Sequence, residues 1–311
     1  MSKTKSAGVS RAEMIEGFRS LGLKEGQVAL VHSAMRTFGY VDGGAETIVD
    51  ALLEVLGPDG TLVVPTFTFV HEVEADPVID PRHDRSGMGA ITEAARRHCN
   101  AMRSTAYRHS VAAIGSRASV ITDTDPALSP FDLRSSFGVM TALDTNVVLC
   151  GVTYSSSTSH HFAEWVCEVP YRESITRNVK LRRSDDAIVE LTTVDYHPRS
   201  EGGSYYGSRS PDFHRLGRML EDAGKVSTTF IGNSAVRRFA MRDLLDRARV
   251  EAARDFNVFR TPEGQSEVLT PLRFGSVVTS PLMKDDAGRQ FSVEWCVRNR
   301  NSLSIRPPAR R

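Results

Sequence analysis

Apolar positions alternate between helical and strand spacing along the first 250 residues. Ser10-Arg11-Ala12-Glu13 has the form of a capping box, with Ser at the N-cap and Glu three residues on. Met14, Ile15, Phe18 and Leu21 continue it as a helical stripe that stops at Gly22. Residues 28–31 (VALV) form a short apolar run that predicts a buried strand. Gly43-Gly44 opens a second helix, with Ile48, Val49, Leu52, Leu53 and Leu56 inward and Gly57-Pro58 as its stop. Residues 61–64 (TLVV) are another strand, closed by Pro65. A strand–helix–strand unit favours a parallel pair within an α/β sheet.

Beyond Pro65 the signals are sparser. Residues 70–86 are polar, contain Pro77 and Pro81, and predict a long surface loop. Residues 88–98 suit a helix, and 110–114 and 146–150 suit strands. The Ser/Thr run Ser155 to Ser159 leads into a helix of about eight to ten residues ending near Pro170. Residues 171–210 predict β-rich, irregular structure, and a long amphipathic helix is expected from about Ser234 to Arg254. After Asp255 the pattern alternates and is turn-rich, with no helix and a disordered end at IRPPARR. The expected organisation is a main domain over residues 1–255 and a C-terminal extension of unassigned role over 256–311.

Composition excludes several classes. With 40% hydrophobic and 25% charged residues, the 311-residue chain reads as a soluble globular protein large enough for its own core. The formal net charge is +1, and the last 51 residues carry eight Lys and Arg against five Asp and Glu. The main body is therefore near neutral, which argues against a nucleic-acid binder. The four cysteines, Cys99, Cys150, Cys167 and Cys296, are widely spaced and form no CxxC pair. Cys150 ends an apolar run and is expected to be buried. MSKTKSAGVS has no apolar core of a secretory signal, and no stretch approaches a membrane span. No membrane partner is expected, and cytoplasm is the expected compartment.

The most informative chemistry lies in Thr158-Ser159-His160-His161-Phe162-Ala163-Glu164. It comes after an apolar strand, where α/β sheets place their ligands. His161 and Glu164 are three apart on the expected helix and share a face. A carboxylate beside an imidazole fixes its tautomer and raises its basicity, which suits a general base. An incidental surface pair is the bland alternative. A zinc site lacks a third ligand at standard spacing, so no metal is expected. Val31 to Thr37, running on through Asp42-Gly43-Gly44, also comes after a strand and opens a helix, where backbone N–H groups can hold a phosphate. It is neither a dinucleotide fingerprint nor a Walker loop. His109 precedes a strand, where a lone histidine is more often structural. There is no GxSxG elbow, and Ser155, Ser156 and Ser157 read as capping residues rather than nucleophiles. Glu72, Glu74, Asp76, Asp80 and Asp84 make the 70–86 loop acidic, which an ordinary solvated face would also explain.

Taken in order, these segments resemble one family. VALVHSAMRTFGYVDGGAETIVDALLEVLGPDGTLVVPTFTF, the SGMG turn, the RS…HSVAAIG block, NVVLCGV leading to TSHHFAEW and VPYR, and FIGNSAVRRFAMRDLLD are similar to the aminoglycoside 3-N-acetyltransferases. The likeness is collinear over about residues 10–250. It implies an antibiotic N-acetyltransferase-like α/β fold with a central mixed sheet flanked by helices, followed here by an irregular β-rich extension. The commoner acetyltransferase superfamily holds CoA with an R/Q-x-x-G-x-G/A loop. The nearest string here, Arg19 to Lys24, is broken by Lys24.

The resemblance implies His161 as general base with Glu164 as its partner. It places acetyl-CoA, the co-substrate, against His32, Ser33, Ala34, Met35, Arg36 and Thr37 and near Ser110. The thioester oxyanion needs hydrogen-bond donors, and backbone N–H groups near Ser33 to Met35 are candidates. The acceptor is a small-molecule amine, with Thr66, Glu72, Asp84 and Glu201 as the positions expected to face it. Two departures stand out: many members read H-P-x-x-S where this chain has Ala106-Tyr107-Arg108-His109-Ser110, and G-x-G-S-P where it has Arg134-Ser135-Ser136-Phe137-Gly138. The near-neutral body is a weak match to a polycationic acceptor, so a different amine of secondary metabolism stays open. So does a non-catalytic regulator of the same fold, although both His161 and Glu164 are retained. The oligomeric state is open, with a dimer as one option.

Overall fold

The computed structural model describes residues 8–72, 74, 76–199 and 211–262, with a short antiparallel pair at Met283–Lys284 and Gln290–Phe291. Ser10 caps α1 (Arg11–Ser20): its side chain accepts from the Glu13 N–H, and the Glu13 carboxylate accepts from the Ser10 N–H, so two otherwise unpaired donors are satisfied. Then come β1 (Val28–Ser33), α2 (Gly44–Leu56) and β2 (Thr61–Pro65). Gly43 and Gly44 both sit at positive φ (76° and 72°), which glycine adopts without strain. β1 and β2 pair in parallel, with α2 as the crossover between them.

The 70–86 segment overlaps a single 3-10 turn (Phe69–Glu72) and holds β3 (Val78–Ile79). Next come α3 (Ala90–Arg96), β4 (Met102–Arg103), β5 (Val111–Gly115), α4 (Ala118–Thr122), α5 (Ser136–Ala142), β6 (Asn146–Cys150) and α6 (Thr158–Val166). Two long strands, β7 (Arg172–Arg182) and β8 (Ile188–Pro198), precede α7 (His214–Asp222), β9 (Ser227–Ile231), β10 (Ser234–Ala240) and α8 (Met241–Ala252).

The central sheet is mixed and seven-stranded, in the order β4-β5-β2-β1-β6-β10-β9. β1 is flanked in parallel by β2 and β6, and the outer pairings are antiparallel. Because side chains alternate across a strand, β1 and β6 supply both cores. Leu30, Val147 and Leu149 face α5, α6, α7 and α8, where they meet Phe137, Phe162, Leu216 and Leu244. Ala29, Val31 and Val148 face α1 and α2, where they meet Met14, Phe18, Ile48 and Leu52. A strand buried on both faces carries no polar alternation, and this is why these runs read as uninterrupted apolar segments.

The helix expected from Ser234 to Arg254 is a strand followed by a helix. Residues 234–240 form β10, which pairs with β6 on one side and β9 on the other. Its two central arginines are accommodated inside: Arg237 pairs with Glu221 at 3.3 Å and lies over the Tyr154 ring, while Arg238 donates to the Asn146 side chain at 2.8 Å. Residues 171–199 are regular rather than irregular, since β7 and β8 pair along their full length and join β3 in a three-stranded sheet. The packed body runs past 255: a 3-10 turn (Phe256–Phe259) buries Val258 and Phe259 in the main core. The rest of the expected β-rich extension lies outside the described residues apart from the short pair above. Among the described residues, no helix is long and apolar enough to cross a membrane. Cys150 is fully buried, and burial pushes its thiol up to about 12.

Candidate active site

β1 and β6 run in parallel and end side by side at Ser33 and Cys150, so the segment after each strand is delivered to one edge of the sheet. After β6 comes a short 3-10 turn (Tyr154–Ser156) and then α6. His161 and Glu164 are one turn apart on α6, and Nδ1 of His161 lies 2.7 Å from Oε2 of Glu164. The Glu164 side chain is 1% exposed and that of His161 is 22% exposed. Tyr171 O–H donates to the other Glu164 oxygen at 3.0 Å, and the Arg172 guanidinium Nε stands 2.8 Å from Oε2.

Burial opposes ionisation of Glu164, but Arg172, His161 and Tyr171 outweigh it and hold the carboxyl below its ordinary range. The ionised carboxylate at 2.7 Å favours the hydrogen on Nδ1 over acceptance there from Arg172 Nη2 at 3.0 Å, and that tautomer leaves Nε2 with the lone pair. Nε2 makes no hydrogen bond among the described residues. The imidazole is itself pushed below its ordinary range, by burial first and by Arg172 second, against the pull of Glu164. The pair is therefore a neutral imidazole, oriented by a carboxylate, with one nitrogen able to accept a proton. Phe213 packs edge-on against the ring at 4.8 Å, and Phe131 lies 6.2 Å away.

His109 also packs on Phe131, with ring centres 4.8 Å apart, and meets Phe67 at the same distance. Burial and Arg108 push it well below its ordinary range, and its Nδ1 has no hydrogen-bond partner. The Ala106-Tyr107 departure is absorbed by packing: Tyr107 is buried with Ile79, Val179 and Leu181.

Among the residues expected to hold the co-substrate, Ser33 ends β1, Ala34 links it to a 3-10 turn (Met35–Phe38), and Met35, Arg36 and Thr37 lie in that turn; Arg36 is exposed and the other four are partly exposed. The Ala34 N–H donates to the Cys150 carbonyl at 2.9 Å, so it is already engaged and is a poor oxyanion donor. Thr37 Oγ1 is tied to the Ala34 carbonyl at 2.7 Å and to Ser234 at 2.9 Å. His32 lies under this turn, 2% exposed and with neither ring nitrogen partnered, and burial drops it to about 3. Across the same edge, the hydroxyls of Thr153, Ser157 and Ser159 are buried and unpartnered. The exposed, cationic Arg36 fits an anionic co-substrate such as a CoA thioester.

Ser110 and Thr66 come together at 3.0 Å, joined by Arg103, which donates to the hydroxyl and carbonyl of Thr66 and to the Thr68 hydroxyl. Thr66 is fully buried, so it shapes the wall rather than the surface of the cleft. Asp84 is occupied: Oδ2 meets His71 Nε2 at 2.7 Å and accepts from the Asp80 N–H at 2.8 Å. Glu72 ends the 3-10 turn, and its side chain, like all of Glu201, lies outside the described residues. Three residues of this site were given no role from the sequence: Arg103, which opens the RS…HSVAAIG block, Tyr171 and Arg172. The signal for the last two was their place in the VPYR string. Among the described residues no cluster of three or more His, Cys, Asp or Glu side chains could hold a metal.

A family model described as aminoglycoside 3-N-acetyltransferase matches residues 30–251. The chain is 28% identical over 255 residues to aminoglycoside N(3)-acetyltransferase IV of a Salmonella species, covering 82% of this chain and 92% of that protein. Among solved structures, it is similar to a histidine-to-alanine variant of the aminoglycoside acetyltransferase AAC(3)-IVa in complex with a gentamicin. That likeness has 25% identity and a TM-score of 0.65, over 83% of this chain and 93% of the other. The fold is shared also with AAC-IIIb in binary complex with CoASH, with a TM-score of 0.70 at 18% identity over 80% of this chain and 97% of the other.

Proposed function

Since the chain belongs to the aminoglycoside 3-N-acetyltransferase family of acyltransferases, we propose that it moves an acetyl group from acetyl-CoA to an amine of an aminoglycoside or related amino compound, with His161 as general base. The observation that carries this reading is the 2.7 Å contact between His161 and an ionised, buried Glu164, which leaves Nε2 unengaged at the sheet edge where α/β folds bind ligands. Two relatives of the same fold are known in complex with the two kinds of molecule this chemistry needs, one with a gentamicin and one with CoASH.

The co-substrate supplies the acetyl group as a thioester. The chain's residues do the rest. An acceptor amine is protonated near neutral pH and cannot attack until a proton leaves. Once the ammonium proton has passed to solvent, the neutral amine attacks, and His161 Nε2 takes the second proton that the nitrogen sheds as the new C–N bond forms and the C–S bond breaks, and returns it to the departing sulfur. Ser33 to Thr37 hold the co-substrate at the β1–β6 edge. No covalent enzyme intermediate is needed, and Cys150, the cysteine nearest this edge in sequence, is sealed in the core.

One observation favours a second acceptor class within this reading. The body is near neutral, and Asp84 of the acidic loop is consumed by His71, so the described cleft is poorer in free carboxylates than a polycation calls for. A monoamine or diamine of secondary metabolism fits it as well. Thiol release from acetyl-CoA, measured against a panel of aminoglycosides and simpler amines, tests both. Failure of every amine in the panel to elicit release, from acetyl-CoA and from longer acyl-CoA donors alike, would overturn the enzymatic reading.

A further inference from the structure

The proposed role of His161 meets a chemical difficulty. A buried carboxylate 2.7 Å from an imidazole draws a proton onto the ring. Unopposed, the pair becomes an imidazolium–carboxylate ion pair, and an imidazolium is no base. A second cation against the same carboxylate removes that pull.

Arg172 is placed to supply it. Its side chain is 5% exposed, at the first residue of β7. Nε lies 2.8 Å from Oε2 of Glu164, the same oxygen that meets the His161 ring, and Nη2 lies 3.0 Å from Nδ1 itself. The guanidinium is anchored from behind: Nη1 donates to the Tyr196 carbonyl at 3.3 Å, and the group lies over the Tyr196 ring at 5.1 Å. A planar fork can touch the carboxylate and the imidazole edge at once, and it stays charged at every pH the protein meets. With the hydrogen on Nδ1, the Nη2 contact sets a cation against an N–H, which penalises a second proton on the ring.

We propose that Arg172 is a positioning residue for the acetyl transfer: by compensating Glu164 and abutting the His161 ring, it lets the carboxylate orient the imidazole without charging it. This rests on His161 being the general base. The other groups facing the ring are consistent with it. Arg108 and His109, from the segment before β5, and His160, its neighbour on α6, add no negative charge; Tyr171 and Tyr196 stay neutral phenols, pushed above their ordinary range by burial and by Glu164. Among the described residues, Glu164 is thus the anion at the ring, and Arg172 the cation that answers it.

The test is the pH dependence of kcat/KM for the full chain with acetyl-CoA and an accepted amine, together with NMR titration of the His161 imidazole, which needs no turnover. In Arg172→Met, the acidic limb and the imidazole titration are expected to move up together by about one pH unit or more, the scale on which one close charge acts. Arg172→Lys should bring the limb most of the way back with kcat still reduced, because an ammonium cannot span both partners. Arg172→Met combined with Glu164→Gln should also bring the limb back down, because the anion is gone. A residue that only supports the fold would lower Tm and the yield of active enzyme and leave the limb in place. An unmoved limb and an unmoved imidazole titration in folded Arg172→Met overturn the proposal. If that variant does not fold, a limb unmoved in both Arg172→Lys and the double variant, with kcat unreduced in Arg172→Lys, overturns it instead. The general-base reading fails separately, on full turnover in His161→Ala.

Discussion

At the scale of single residues, the site divides into what local spacing could reveal and what only the fold assembles. His161 and Glu164 were legible because a helix places residues three apart on one face, and the structure joins them at 2.7 Å. Arg172 and Tyr171 were not. They come after α6 and a turn, and nothing in the local pattern says that the chain doubles back to set a guanidinium and a phenol against Glu164. His32 shows the converse. The family resemblance placed it against the co-substrate, yet it is the fifth residue of β1 and is buried. Glu164→Gln is expected to reduce kcat by less than the ~10²–10⁴-fold typical of losing a general base, since the imidazole stays but its tautomer is no longer fixed. Steady-state kcat at saturating co-substrate and amine measures this. A loss as large as that of removing the imidazole would show that a fixed tautomer is as essential as the imidazole itself.

At the scale of elements, legibility tracked the sharpness of start and stop signals. The capping box of α1, the glycine pair before α2 and the apolar runs of β1, β2 and β6 all formed where expected. The stretch from Ser234 failed because a strand buried between β6 and β9 has no alternation, and it runs without a break into the helical stripe of Met241, Leu244, Leu245 and Ala248. α7 is short, carries Gly217 and shows its apolar face at only a few positions, so its signal was lost among arginines. The 66–86 segment is organised by side chains rather than by backbone periodicity. His71, 4% exposed, lies 2.9 Å from Glu74 and 2.7 Å from Asp84, and Arg103 donates to the Asp84 carbonyl at 2.6 Å. The two carboxylates raise His71 against the effect of burial. A raised folded pKa means that this clasp contributes fully below the ordinary imidazole value and is lost as pH rises through the raised one. Asp84→Asn should therefore destabilise the protein more at about pH 6 than at about pH 9, on either side of that window, as measured by denaturant midpoints. An equal loss at both values would show that His71 is neutral throughout.

At the scale of the whole molecule, the balance of buried histidines runs the other way from that one clasp. His32 and His160 are held at about 3, against 6.5 for an exposed imidazole, by burial within the core between β1 and α6. His109, His161 and His214 are lowered as well. For groups depressed on folding, the stability is present above the unfolded value of 6.5 and drains away as pH falls toward about 3, because the unfolded chain takes up protons that the folded one refuses. Tm is expected to fall steadily below pH 6.5, and His160→Phe, which keeps an aromatic ring stacked on Phe213 at 4.8 Å, should flatten that decline. An unchanged slope would mean that His160 is hydrated or paired in solution. The same body, near neutral and carrying one dyad at its sheet edge, is read as an acetyl-CoA-dependent amine acetyltransferase. The most direct test is thiol release by the full chain and by His161→Ala, across pH, with acetyl-CoA and an accepted amine. The account predicts a loss of ~10²–10⁴-fold in turnover, disappearance of the acidic limb and unaltered CoA affinity. Near-full turnover with the same pH profile in His161→Ala would contradict it.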